Sequence, residues 1–248
     1  MRISRIYVNQ PLANGSSVEL ELQNIHYVRN VLRLKSGGTI ALFNGTDDSD
    51  YLAILHFEGK RIRADIVSSE VLISDSKLDS EVILGVSRSD RIDFSIQKST
   101  ELGVSHISIF NALHSQNPLK KAQQEKRMAH WRAIAIKASE QCGRHRIPEI
   151  EIYSHIQTRL ESHDHAVRGY LLDFNGVALS ELLCEDRVSD SRVSLLTGPE
   201  GGLAETEISL AKEYGFKAAK LGPRVLRTET AAIAGLAIMQ AARGDMAC

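Results

Sequence analysis

The sequence predicts an α/β protein: a C-terminal parallel-sheet domain covered by helices, preceded by a small β-barrel. Three observations carry this. From Glu81 onward, short apolar runs alternate with helical periods, the rhythm of βαβ units whose strands are buried on both faces. Before about residue 72 the runs alternate apolar with polar residues or meet at tight turns, as half-buried strands do. Between them, the polar stretch "ISDSKLDS" has no sustained period. It reads as a linker over 73–80, separating a domain at 1–72 from one at 81–248.

In the first domain, "SVELELQ" alternates as a strand. "TIALFNG" ends in Asn44-Gly45, a strong hairpin-type turn signal, and "YLAILHF" follows as another strand. One helix interrupts them, "NIHYVRNVLRLKSGG", with Asn24 expected as N-cap and Gly37-Gly38 as the stop. On it Arg29 and Arg33 are four apart and share a face, with Lys35 close behind. This is a small barrel carrying a basic helix.

In the second domain, "EVILGVS" is a strand and "DRIDFSIQKSTELG" a helix, with Asp90 near its N-cap and Gly103 at its stop. "VSHISIFN" precedes a long helix from about Pro118 to Cys142, closed by Gly143. "EIEIY", "GYLLDF", "RVSLLTG" and "FKAAKLG" are further strands. There is no fixed-period repeat and no low-complexity tract.

Composition bounds the function. The chain has 248 residues, 43% hydrophobic and 25% charged, an ordinary globular balance. No apolar run approaches a membrane span, and the first residues lack the apolar core of a signal peptide. Three cysteines at spacings that fit no zinc motif suggest a reduced, cytoplasmic protein. A net charge of −1 argues against a general nucleic-acid binder. Yet residues 85–146 hold eleven Lys/Arg against five Asp/Glu, and residues 147–196 four against nine. Opposite fields on adjacent segments suggest one face made for a polyanion.

The stretch "LLTGPEGGLAETEISLAKEYGFKAAKLGPRVLRTETAAIAG", Leu195 to Gly235, carries the chemistry. Two strands each break into a Gly-Pro loop, and each loop opens a helix. In an open parallel sheet, ligands bind beyond the carboxyl ends of the strands, where such loops lie. Gly198-Pro199-Glu200-Gly201-Gly202 and Gly222-Pro223-Arg224 let backbone approach a ligand with no side chain in the way. Neither is a Walker A sequence or a GxGxxG fingerprint, so a nucleoside ligand without a phosphate chain suits them better. Next, Arg227, Thr228, Glu229 and Thr230 crowd polar groups before a very small-residue helix, with Thr228 or Thr230 as the expected N-cap. The run Ala231 to Gly235 admits a close-packed neighbour, whether a threaded chain or a dimer partner.

This stretch, with "HYVRNVLRLKSGGTIALFNG", "DRIDFSIQKSTELGV" and "KASEQCGRHRIPEI", resembles the ribosomal RNA small-subunit methyltransferase E family of the SPOUT class. The resemblance covers nearly the whole chain in the right order. "GPEGG" alone is unspecific; "LGPRVLRTETAA" with "QKSTELG" and "EQCGR" is specific. The resemblance implies a PUA-like barrel, a SPOUT parallel-sheet domain with a trefoil knot, and a homodimer. It implies S-adenosylmethionine as methyl donor and N3-methyluridine in 16S ribosomal RNA as product. Cofactor contacts would come from Leu172, from Thr197, Gly198, Pro199, Glu200 and Gly201, and from Leu221 and Gly222. Leu226, Arg227, Thr230 and Ala231 would complete the site.

Uridine N3 carries a proton near neutral pH and becomes nucleophilic when that proton leaves. Arg227 is expected to stabilise the negative charge that develops on the uracil oxygens. Glu200 or Glu229 is expected to accept the proton, and the sequence leaves both open. RNA would be held by Arg29, Arg33 and Lys35 of the first domain and by Arg91, Lys98, Arg144 and Arg146. The sequence departs from the family in "NALHSQNPLKK", where His114, Ser115 and Gln116 stand in place of basic residues. N3 chemistry needs no covalent adduct, so Cys142 is expected to be buried and inert. No metal is expected, and His163-Asp164-His165 reads as a solvated loop. Another RNA target and a non-catalytic ribosome-assembly role stay open as alternatives.

Overall fold

The computed structural model describes residues 3–72, 74–162, 168–185 and 192–246. The chain divides into two compact units, Met1–Asp75 with Ser139–Ile147, and Ser76–Ala138 with Pro148–Cys248.

The first unit is built on β1 (Arg5–Tyr7), β2 (Ser17–Glu19), β3 (Thr39–Phe43), β4 (Ser49–Glu58) and β5 (Arg61–Val71), in sheet order β1-β3-β4-β5-β2. β1 runs parallel to β3; the other pairs are antiparallel. Ile6, Ile40, Leu42, Leu55 and Ile62 have no exposed surface and form its core. β2 stops at Glu19, shorter than its alternating pattern predicts, because the chain turns into α1 (Leu22–His26).

The basic helix differs from expectation. Asn24 is not its N-cap: it lies inside α1, buried, and its Nδ2 donates to the Tyr7 carbonyl at 3.0 Å. α1 runs into a π-helical turn, Tyr27–Val31. The chain then leaves the helix at Arg33, whose φ is 53°. The helical period continues to Leu34, so no glycine or proline marks this stop. Arg29 therefore sits on the π turn and Arg33 beyond it, not on one helical face.

Residues 139–147 join this unit through a charged cluster. The Arg5 guanidinium donates to Asp50 through Nη2 at 2.8 Å and to the Ser139 carbonyl through Nη1 at 2.8 Å. His145 has no exposed surface and bridges Asp50, 2.9 Å from Nε2, and the Ser74 hydroxyl, 2.8 Å from Nδ1. Burial alone would raise the Asp50 pKa, but the hydrogen bonds from His145 and Arg5 outweigh it, so the carboxyl sits below its ordinary range.

The second unit is a six-stranded, all-parallel sheet in the order β11-β9-β10-β6-β7-β8. Its strands are β6 (Ser80–Gly85), β7 (His106–Phe110), β8 (Glu149–Tyr153), β9 (Arg168–Ala178), β10 (Val193–Thr197) and β11 (Lys217–Lys220). The helices are α2 (Ser89–Glu101), α3 (Gln124–Cys142, whose residues from Ser139 on belong to the first unit), α4 (Ile156–Glu161), α5 (Leu179–Glu185), α6 (Glu205–Glu213) and α7 (Thr228–Arg243). The central strands β6 and β10 are buried at every residue, as a parallel sheet covered on both faces requires. Buried Glu81 of β6 would be costly alone. It accepts from Arg159 Nε at 2.8 Å and from the hydroxyls of Ser108 and Ser194.

Helix starts also depart from expectation. α2 is the exception: it begins at Ser89 with Arg88 as N-cap, so Asp90 lies near the cap, and Gly103, at φ 82°, ends it, both as expected. α3 begins at Gln124 after a 3₁₀ turn at Lys121–Gln123, not at Pro118. α7 begins at Thr228, so its N-cap is Arg227 and not a threonine, and no side chain caps it. The small-residue face of α7 packs inside the chain. A Cβ on Gly235 would lie 2.5 Å from Leu195 Cδ2 of β10.

Candidate active site

The cavity of interest lies beyond the carboxyl ends of β10 and β11, beside the middle of β9. β9 does not end at "GYLLD" as its apolar run predicts. Leu171 faces Ala218 of β11, and the next paired residue is Val177, which faces Ala219. Residues 172–176 thus bulge out of the sheet between two paired ends. A bulge of this kind re-aims side chains at a strand's rim. Here it turns Leu172, Asp173 and Phe174 into the wall of a cavity of about 540 Å³.

The loop after β10 supplies the second wall. Its tightness depends on glycine. A Cβ on Gly85, at the end of β6, would lie 2.6 Å from Pro199 Cδ, and one on Gly198 would lie 2.9 Å from the Leu203 backbone nitrogen. The Gly202 N–H donates to the Pro199 carbonyl at 2.9 Å, closing the turn, with Gly202 at φ 72°. The loop after β11 supplies the third wall and turns at Gly222, whose φ is 98°. No other residue type adopts these two conformations without strain.

Ten of the expected cofactor residues line this one cavity: Leu172, Thr197, Gly198, Pro199, Glu200, Leu221, Gly222, Leu226, Arg227 and Ala231. Gly201 and Thr230 do not line it. Gly201 faces away, against His114, whose Cβ an added methyl would approach to 3.0 Å. Thr230 points to solvent from the first turn of α7.

The charged groups form a connected set. Arg91 of α2, expected to contact RNA, instead enters this cavity wall. Its Nη1 lies 3.1 Å from Glu200 Oε1, and its Nε 3.9 Å from Glu229 Oε2. The Arg88 backbone N–H also reaches Glu200, at 3.4 Å. Glu229 Oε2 is buried and has no hydrogen-bond partner among the described residues; at 3.9 Å the Arg91 contact is electrostatic only. Two carboxylates therefore share one guanidinium. Arg227 is exposed at the head of α7 and faces the same cavity.

Sequence reasoning misses Asp173 and Phe174, because the strand "GYLLDFNGVA" shows no break. The signal available is Asn175-Gly176, a turn dipeptide inside an apolar run.

The expected RNA contacts fare differently. Arg33 and Lys35 are exposed. Arg29 is exposed but donates to the Gly59 carbonyl and lies over the Phe57 ring. Lys98 is paired with Glu101 at 2.7 Å, and exposed Arg146 lies 3.5 Å from Asp48. Arg144 is a correction. It is buried, and its Nε donates to Asp75 at 2.8 Å, so it braces the first unit and is closed to a phosphate. Cys142 is a second correction: it is exposed, not buried, and does not line the cavity. His163, Asp164 and His165 lie outside the described residues. No helix among the described residues is long and apolar enough to cross a membrane.

Comparison with known proteins places this cavity in context. The RNA methyltransferase domain family matches residues 74–240. Ribosomal RNA small subunit methyltransferase E of Buchnera aphidicola from Schizaphis graminum is 33% identical over 99% of this chain and 98% of its own length. The protein of the same name from Rickettsia conorii is 30% identical over 96% of this chain and 95% of its own. Among solved structures, a methyltransferase from Legionella pneumophila in complex with S-adenosylmethionine superposes with a TM-score of 0.92. It is 33% identical and covers 99% of this chain and 100% of its own. The small subunit methyltransferase E of Neisseria gonorrhoeae bound to S-adenosylmethionine superposes with a TM-score of 0.87, also at 33% identity, over 98% and 99% of the two chains.

Proposed function

The chain belongs to the ribosomal RNA small subunit methyltransferase E family, and from that premise we propose that it methylates N3 of a uridine in 16S ribosomal RNA. One observation carries the reading. The two Gly-Pro loops and the β9 bulge converge on a single cavity whose wall holds Arg227, Glu200 and Arg91.

That cavity suits S-adenosylmethionine. Its volume, about 540 Å³, falls in the range of small-molecule sites. Leu172, Leu221 and Leu226 offer apolar surface for an adenine, and the glycine turns bring backbone atoms to the ligand. The left-handed turns at Gly202 and Gly222 leave the space beside their α-carbons open. When bound, the cofactor supplies an electrophilic methyl group on a sulfonium.

This chain's residues do the rest. They hold the uracil so that N3 lies in line with the methyl, a positioning effect worth effective molarities on the order of 10⁵–10⁸ M. Glu200 or Glu229 takes the N3 proton, directly or through water. Arg91 offsets the repulsion between these two carboxylates and fixes their geometry. As the N3–H bond breaks, negative charge spreads to the uracil oxygens, where the exposed guanidinium of Arg227 meets it. The new N3–CH₃ bond forms as the S–CH₃ bond breaks, leaving a neutral thioether.

The wider reading follows the family. The first unit is a PUA-like RNA-binding module, the loops of the second form a trefoil knot, and the protein acts as a cytoplasmic homodimer. The cavity assignment is tested by a calorimetric titration with S-adenosylmethionine. Saturable binding by the wild type, abolished in Gly222→Val, supports it; binding that survives this substitution contradicts it.

A further inference from the structure

A second cavity, also about 540 Å³, opens at the other side of the α2 N-terminus. One wall is the exit of β6 and the first turn of α2, residues 86–92; the other is the segment 116–131. Three observations there concern one kind of ligand.

First, α2 is a 13-residue helix with no side-chain cap; the Arg91 N–H bonds the Arg88 carbonyl and the Arg88 N–H goes to Glu200, which leaves the N–H groups of Ser89 and Asp90 to meet an anion. Second, Ser87 lines this cavity and is only 7% exposed, yet its hydroxyl has no hydrogen-bond partner among the described residues. A buried hydroxyl left unpaired is unfavourable, and a ligand oxygen in the cavity satisfies it. Third, the wall carries Arg88, Lys120 and Arg127 against a single carboxylate, Asp90. Asp90 lies 3.6 Å from Arg88, with both side chains more than half exposed, a loose pair that leaves most of the positive field in place. Asp93, the next carboxylate along α2, is occupied by Trp131 Nε1 at 3.1 Å and His130 at 2.8 Å.

The linings of the two cavities are joined by one hydrogen bond. The Arg88 N–H donates to Glu200 Oε1, and Glu200 lines the first cavity. We infer that the second cavity holds a backbone phosphate of the substrate RNA strand, beside the site where the target base meets the cofactor. Lys120, Arg127 and the α2 N-terminus supply the charge, and Ser87 supplies a hydroxyl to a phosphate oxygen. The inference rests on the proposed reading of the chain as an RNA methyltransferase.

The test compares the wild type with the double variant Lys120→Ala/Arg127→Ala and with Ser87→Ala. The probe is small ribosomal subunits from cells lacking the modification. Affinity is measured between 50 and 200 mM salt, with calorimetric cofactor affinity alongside to report folding. Methylation by the wild type validates the underlying reading in the same experiment. Given that, the inference expects the double variant to bind subunits at least about tenfold more weakly. Its log–log salt slope should be shallower by about one for each phosphate it no longer neutralises. Cofactor affinity stays unchanged, and Ser87→Ala binds subunits slightly more weakly at the wild-type slope. Unchanged subunit affinity and slope in the double variant overturn the inference. So does binding of inorganic phosphate that the double variant abolishes while it leaves subunit affinity intact, since the cavity is then a site for free phosphate. A wild type that neither binds nor methylates subunits removes the underlying reading, and the inference with it.

Discussion

Arg91 Nη1 lies 3.1 Å from Glu200 Oε1, and this contact ties the first turn of α2 to the loop after β10. The same guanidinium faces Glu229 on α7 at 3.9 Å. Three elements distant in sequence thus meet at one cation. The candidate acid–base groups are held by a residue that carries no part of the Gly-Pro motif.

Arg91→Ala is expected to lower turnover by about tenfold or more. The three side chains are 21%, 18% and 13% exposed, so screening reduces the loss below that of a fully buried pair, to about 1–2 kcal/mol. Each 1.4 kcal/mol is a factor of ten in rate. Arg91→Lys keeps the charge and should recover part of the activity. Steady-state kinetics and the pH profile of kcat check this; a variant with wild-type kcat at every pH contradicts it.

Arg227→Ala should cut turnover far more than cofactor affinity. A donor that serves only developing charge is worth about 10²–10³ in kcat. Single-turnover methylation and calorimetry separate the two, and equal losses in both show that Arg227 serves binding.

Cys142→Ser should leave methylation intact. Although exposed, Cys142 does not line the cavity, and alkylation of N3 needs no covalent enzyme adduct. Loss of all activity in this variant, with the fold retained, requires a different chemistry.

Stability should depend on Glu81 in acid. Burial alone would raise its pKa, but hydrogen bonds and charge from Arg159, with the Ser108 and Ser194 hydroxyls, outweigh it and lower the carboxyl's pKa. A depressed folded-state pKa gives stability that is fully present above the unfolded value, about 4.3, and is lost as pH falls through the folded one. Glu81→Gln leaves Arg159 buried without its counter-charge and should cost about 3–5 kcal/mol at neutral pH. Denaturant titrations from pH 7 to 3 measure both; equal stabilities of the two proteins across this range contradict the role.

Much of this is legible in the sequence where local rules and tertiary structure agree. The buried runs of β6 and β10 announce a parallel sheet, and the glycines at 198, 202 and 222 mark the two turns that line the cavity. The failures have physical causes. Asn24 looks like a cap, but its amide is drawn into the core to satisfy the Tyr7 carbonyl. Arg33 breaks its helix in a left-handed conformation that no composition signal marks. Charge alone marks Arg91 and Arg144 as RNA contacts. Their partners, Glu200 and Asp75, are 109 and 69 residues away in sequence, beyond the reach of any local pattern. The β9 bulge leaves only the Asn175-Gly176 dipeptide as a local mark, since its residues leave the sheet where β11 pairs on either side of them.

The most direct test of the central claim is the identity of the product. Purified protein is incubated with isotope-labelled S-adenosylmethionine and small ribosomal subunits lacking the modification, and the RNA is digested to nucleosides and resolved by mass spectrometry. The expected result is label in N3-methyluridine, formed about 10²–10³-fold more slowly by the Arg227→Ala variant. Label in any other nucleoside, or in a ribose 2′-hydroxyl, contradicts the assigned target and the roles given to Arg227 and the two glutamates.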